Sequence, residues 1–183
     1  MKEKIPNYLT WSRVLAIPVI ALLVMIPFQW ANYLSAGLFC LVALTDWLDG
    51  YLARKWHVQS DFGAFLDPVA DKLLVVVLLI LLAVQAPAFF MLVSVIIIVS
   101  REIVISALRE WMAGLGMRDV VKVAPIGKLK TALQMIALFL LLMADPGTWI
   151  YFFGSLTLYA ASAVTFISMV QYLAAATEAL KAN

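Results

Sequence analysis

TDWLDGYLARKWHVQSDFGAFLDPVADK, residues 45–72, sets five aspartates into 28 residues of an otherwise strongly apolar chain. Asp61 follows Ser60 at the head of an apolar run, and the two read together as a helix N-cap, whose oxygen accepts from an orphan backbone N–H. The other four need another reason. Asp46 and Asp49 are three apart and Asp67 and Asp71 four apart, spacings that put each pair on one face of a helix. The short turn around His57 joins the two segments as a helical hairpin, so the two acidic faces can meet. With no second His and no Cys near it, His57 reads as a solvated loop residue.

The chain has 183 residues, 65% of them hydrophobic and 13% charged, with a mean hydropathy of +1.01. These values exclude an ordinary soluble domain and a disordered chain. Crossing about 30 Å of hydrocarbon takes about 20 apolar residues in a helix. Six segments meet that need, 12–29, 32–55, 61–86, 88–113, 127–145 and 148–176. The expected fold is all-α: one membrane-embedded domain over residues 1–183, a polytopic six-helix transmembrane bundle. Residues 1–13, MKEKIPNYLTWSR, mix basic and aromatic side chains and suit a short N-terminal interfacial helix, with Asn7 after Pro6 as its cap.

Charge gives the orientation. The loops around 30, 87 and 147 hold no Lys or Arg. Lys2, Lys4, Arg13, Arg54, Lys55, Arg109, Arg118, Lys122, Lys128, Lys130 and Lys181 gather on the other side. The positive-inside rule then places both termini in the cytoplasm. No A-x-A site follows the first apolar run, so it reads as a span and not as a cleaved leader. Cys40 reads as a small packing residue. Trp30, Trp111 and Trp149 fall at span ends, where amphipathic rings anchor.

In that setting each mid-helix carboxylate is disfavoured by at least ~2.5 kcal/mol. Arg54, Lys55 and Lys72 are too few and too displaced to neutralise four of them, which argues against a salt-bridge cluster that only fixes packing. Divalent cations would compensate, and a ligand set made only of oxygen selects hard ions such as Mg²⁺ or Mn²⁺. Gly50, Ala53 and Gly63 leave a groove beside the acids where a ligand can approach backbone, and Arg54 is one turn from Gly50. Small residues at helix crossings also permit close packing by themselves.

The run Asp46-x2-Asp49-Gly50-x2-Ala53-Arg54-x8-Gly63-x3-Asp67-x3-Asp71 resembles the signature of the CDP-alcohol phosphatidyltransferase family, position for position. The resemblance implies an integral membrane enzyme that moves a phosphatidyl or similar group from a CDP-alcohol to a hydroxyl, releasing CMP. It implies that Asp46, Asp49 and Asp67 hold metal, two ions in all, and that Asp71 completes the site and is the candidate catalytic base. It implies further that Gly50, Ala53, Arg54 and Gly63 line the CDP-lipid site, and that the protein is a homodimer whose active site faces the cytoplasm. Asn7, Thr10 and Arg13 match the family's PNxLTxxR opening, a weaker cue.

The acceptor is read from IVSREIVISALREW, residues 98–111, and GKLKT, residues 127–131. Glu102, Ser106 and Arg109 form one stripe, Gly127, Lys130, Thr131 and Gln134 another, and Arg101 lies about a quarter turn from the first. Fixed positive charge beside an acidic metal site suggests an acceptor that carries phosphate, held by Arg101, Arg109, Lys128 and Lys130. These segments resemble the branch of the family whose acceptor is glycerol 3-phosphate, with CDP-diacylglycerol as donor. Anchoring of helix ends by positive charge is the plainer reading, strongest for Lys128. Two alternatives stay open: a cardiolipin- or phosphatidylserine-type synthase on the same scaffold, and an ion-coupled transporter. The transporter lacks an ionisable path toward the loops at 30, 87 and 147. No nucleic-acid partner is expected.

Overall fold

The computed structural model describes residues 5–56, 61–117, 120 and 125–181, and the side chains of residues 12–45, 69–117, 120 and 127–181. Over these residues the chain is all-helical, with six helices in order: α1 (Ile5–Val24), α2 (Gln29–Trp56), α3 (Asp61–Gln85), α4 (Phe89–Gly114), α5 (Pro125–Met143) and α6 (Trp149–Lys181). His57, Ser60, Arg118 and Lys122 lie outside the described residues.

Proline and glycine set the boundaries. Pro27, Pro87 and Pro146 each fall in a connection at one end of the bundle, because proline cannot donate to the helix ladder and biases the residue before it away from helical angles. For that reason α1 stops at Val24, short of the expected residue 29. At the α5–α6 connection Gly147 takes φ +95°. Thr148 then caps α6, its hydroxyl accepting from the Tyr151 backbone N–H at 3.3 Å and donating to the Asp145 carbonyl at 2.8 Å. At the far end of α4, Gly116 at φ +75° closes a Schellman turn, with Met117 N donating to Met112 O at 2.8 Å and Gly116 N to Ala113 O at 3.1 Å.

The N-terminal expectation needs correcting. No break separates residues 5–11 from the apolar run that follows, so the expected interfacial helix is the first turns of α1 and not an element of its own. Asn7 lies inside α1 and does not cap it. Pro6 explains this, since the first turn is where a missing N–H leaves nothing unsatisfied.

α6 packs most closely on α5 and next on α4, α1 lies against α2 and α3, and α2 also meets α5. Ile20, Phe39, Leu78, Ile98, Leu138 and Leu158, one from each helix, meet in the main core. Gly154 sets the α5–α6 approach, because a Cβ there would stand 3.0 Å from Leu141 Cγ and 3.1 Å from Leu140 Cβ. The exterior is apolar as well: Leu15, Leu22, Leu41, Ile96, Ile103 and Phe153 are each more than half exposed. Among the described residues α4 and α6 are long and apolar enough to cross a membrane. Such a surface suits association with lipid.

Candidate active site

The end of the bundle that carries the α2–α3 and α4–α5 connections holds a cavity of about 220 Å³. α3 contributes Asp71 and Lys72, α4 contributes Arg101, Glu102 and Arg109, and α5 contributes Lys130 and Gln134. The helical stripes read from sequence account for most of this. Gly127, Lys130, Thr131 and Gln134 fall on one face of α5, and Glu102 and Arg109 share a line along α4. Arg101, a quarter turn off that line, is still only 5% exposed, because its long side chain turns into the same space.

The lining carries four cations, Lys72, Arg101, Arg109 and Lys130, and two carboxylates, Asp71 and Glu102. Glu102 Oε1 accepts from Arg101 Nη1 at 3.3 Å and from Lys130 Nζ, so it holds two of the cations at a set spacing. Ser106 donates to the Glu102 backbone carbonyl at 2.5 Å and accepts from Lys72 Nζ at 2.6 Å. Arg101 Nε, Arg109 Nε and Gln134 Nε2 are buried with no hydrogen-bond partner among the described residues. A buried donor left unpaired costs about 1–3 kcal/mol. Three such donors around one positive cavity call for oxygen acceptors from outside the chain.

Asp71 is held from the other side. Arg13, 1% exposed on α1, donates from Nη1 to Asp71 Oδ1 at 2.9 Å, while the Asp71 side chain is 48% exposed toward the cavity. The buried guanidinium thus orients a carboxylate that still faces solvent. A cavity of about 420 Å³ at the opposite end, lined by Trp149, Tyr151, Phe152 and Tyr159, includes no charged side chain. Size does not choose between them; the chemistry of the lining does.

The cavity brings together three of the four expected phosphate ligands. Lys128 is exposed and does not line it, because two residues from Lys130 is more than half a turn around α5. Asp46, Asp49, Gly50, Ala53 and Arg54 lie on α2 and Gly63 and Asp67 on α3, as expected, but their side chains are outside those described. The same holds for Asn7 and Thr10 on α1. Among the described residues no three acidic, His or Cys side chains gather as a metal site.

Tyr172 was not expected at all. It is 5% exposed on α6, its hydroxyl accepts from Arg109 Nη2 at 3.4 Å, and its ring lies against both arginines. The signal was present: Ser155, Ser162, Thr165, Ser168 and Tyr172 recur at helical steps along a mostly apolar helix and are buried.

A sequence model of the CDP-alcohol phosphatidyltransferase family matches residues 3–173, and the chain belongs to that family. It is 46% identical over 176 residues, covering 96% of both chains, to the CDP-diacylglycerol--glycerol-3-phosphate 3-phosphatidyltransferase of Salmonella choleraesuis (strain SC-B67). Proteins of the same name from Salmonella typhi and Escherichia coli (strain K12) are 46% and 45% identical over the same share of both chains.

Proposed function

We propose that the protein transfers the phosphatidyl group of CDP-diacylglycerol to the primary hydroxyl of glycerol 3-phosphate, giving phosphatidylglycerophosphate and CMP, as a step of phospholipid synthesis. The observation that carries the acceptor is the cavity of Arg101, Arg109 and Lys130 with its three orphaned donors. The names of relatives 45–46% identical over nearly the whole chain support both substrates.

The setting is a six-span bundle in the cytoplasmic membrane, with both termini and the cavity facing the cytoplasm, supported by the one-sided distribution of Lys and Arg. A homodimer is part of the reading and rests on the family resemblance. The donor keeps its acyl chains in the bilayer, and its nucleotide lies along Gly50, Ala53, Arg54 and Gly63.

The carboxylates at 46, 49, 67 and 71 would supply an all-oxygen donor set of the kind that Mg²⁺ or Mn²⁺ takes, two ions in this reading. Bound there, the metal would offset the charge of the diphosphate and of the departing CMP. The chain's own residues do the rest. Arg101, Arg109 and Lys130 fix the acceptor's phosphate, which points its free hydroxyl toward Asp71. Asp71, oriented by Arg13, takes the proton as the hydroxyl oxygen bonds to the β-phosphorus. The bond from that phosphorus to the bridging oxygen breaks, and CMP leaves with that oxygen beside Arg54.

The test is CMP release from CDP-diacylglycerol by purified protein, across a panel of acceptors, with and without Mg²⁺. Release should require the divalent ion and glycerol 3-phosphate, while glycerol, serine and phosphatidylglycerol support little. Comparable turnover of serine or phosphatidylglycerol would move the acceptor assignment to another branch of the family. Full turnover under chelation would remove the metal.

A further inference from the structure

Two guanidinium groups that are to grip one phosphate repel each other until it arrives. Arg101 and Arg109 leave α4 eight residues apart, about 12 Å along the helix axis, and each is a long chain with several rotatable bonds. Something must bring them together and hold them before the ligand binds, or the cost of ordering them is charged against binding. Glu102 does this for Arg101 and Lys130. Arg109 has no such contact with Glu102 among the bonds described.

We propose that the Tyr172 ring is a positioning shelf that holds Arg101 and Arg109 together as a preformed anion site. Its centroid is 5.8 Å from Arg101 Cζ and 5.4 Å from Arg109 Cζ, within the range at which a ring face attracts a cation. The ring is itself fixed. It packs among Ile105, Leu108, Met112 and Ala176 in a second apolar cluster, separate from the main core, built by the ends of α4 and α6. The hydroxyl adds the bond from Arg109 Nη2 at 3.4 Å. That distance is long for a hydrogen bond, so the ring face, and not the hydroxyl, is the main hold. With both guanidinium groups drawn to the ring, Arg101 Nε and Arg109 Nε are left without a partner among the described residues. Tyr172 acts on the acceptor through the arginines and takes no part in the bond changes.

The inference rests on reading the cavity as the acceptor-phosphate site, and the experiment separates the two. Wild type, Tyr172→Phe, Tyr172→Leu and Tyr172→Met are titrated directly with inorganic phosphate and with glycerol 3-phosphate, and assayed for turnover against both substrates. Loss of the ring in Tyr172→Leu should weaken both anions about tenfold, the sum of two weak cation–ring contacts. The KM for CDP-diacylglycerol and the saturated kcat should stay within roughly threefold, and Tyr172→Phe should restore most of the anion affinity. Tyr172→Met, closer in length to the native side chain, carries the same comparison if the Leu variant does not accumulate. Unchanged anion affinity without the ring would overturn the shelf. So would a Phe variant as weak as Leu, or equal damage to both substrates, which marks a general packing defect. A wild type that binds phosphate through Tyr172 but does not use glycerol 3-phosphate would keep the shelf and overturn the acceptor reading. One that binds neither anion would overturn both.

Discussion

A guanidinium that is 1% exposed has given up its water for protein partners, one of them a carboxylate 2.9 Å away. For Arg13 that carboxylate is Asp71, so the geometry of the proposed base depends on a residue of α1. Lysine keeps the charge but presents a single point in place of a planar fork. Arg13→Lys should therefore lower kcat about ten- to a hundredfold, with both KM values within roughly threefold, a loss of positioning and not of binding. A rise in one KM alone, read by steady-state assay, would place Arg13 in that substrate's site. The acceptor cations make an opposite prediction. Arg109→Ala removes a charge-assisted hydrogen bond worth roughly 1.5–3 kcal/mol, so the KM for glycerol 3-phosphate should rise by about one to two decades while that for CDP-diacylglycerol barely moves. Lys128→Ala, outside the cavity, should change the acceptor KM by less than about threefold, as for an exposed charge. Sequence periodicity put Arg109 and Lys130 on the stripes that line the cavity, because stripes along one helix are visible in one dimension. It could not find the Arg13–Asp71 pair, which joins residues 58 apart on two helices.

At the level of helices, most boundaries follow from Pro27, Pro87, Pro146 and the two glycines with positive φ, features that a reader of sequence can see. What was not visible is how far α4 and α6 bind each other past the cavity. The final span was expected to end at 176, but α6 continues to Lys181, since Ala176, Ala179 and Leu180 pack onto the cluster around Met112. Helix ends are decided by such tertiary cover as much as by local propensity. Gly154 shows the same dependence. A glycine inside an apolar helix reads only as a weak helix former, yet here its missing side chain admits Leu140 and Leu141. Gly154→Val should force α5 and α6 apart and destabilise the protein by about 1–3 kcal/mol. The midpoint of thermal unfolding in detergent measures this, and an unchanged midpoint would mean that the helices are not in close contact there.

Across the whole molecule, one end gathers charge and the other is nearly free of it. That polarity predicts topology. In a Cys40→Ser background, Ala88→Cys at the α3–α4 connection should react with a membrane-impermeant thiol reagent added to intact cells. Glu178→Cys near the end of α6 should react only after permeabilisation. The reverse pattern would invert the protein. The apolar exterior described above carries a kinetic consequence too. A catalyst coated in Leu, Ile and Phe meets its lipid donor as a fellow solute of a two-dimensional film, while the charged acceptor arrives from bulk water. The two substrates then obey different concentration scales, moles per litre for glycerol 3-phosphate and mole fraction in the film for CDP-diacylglycerol. Adding inert detergent at a fixed amount of donor should slow turnover by surface dilution, and tripling the volume at fixed film composition and fixed glycerol 3-phosphate concentration should leave the rate per enzyme unchanged.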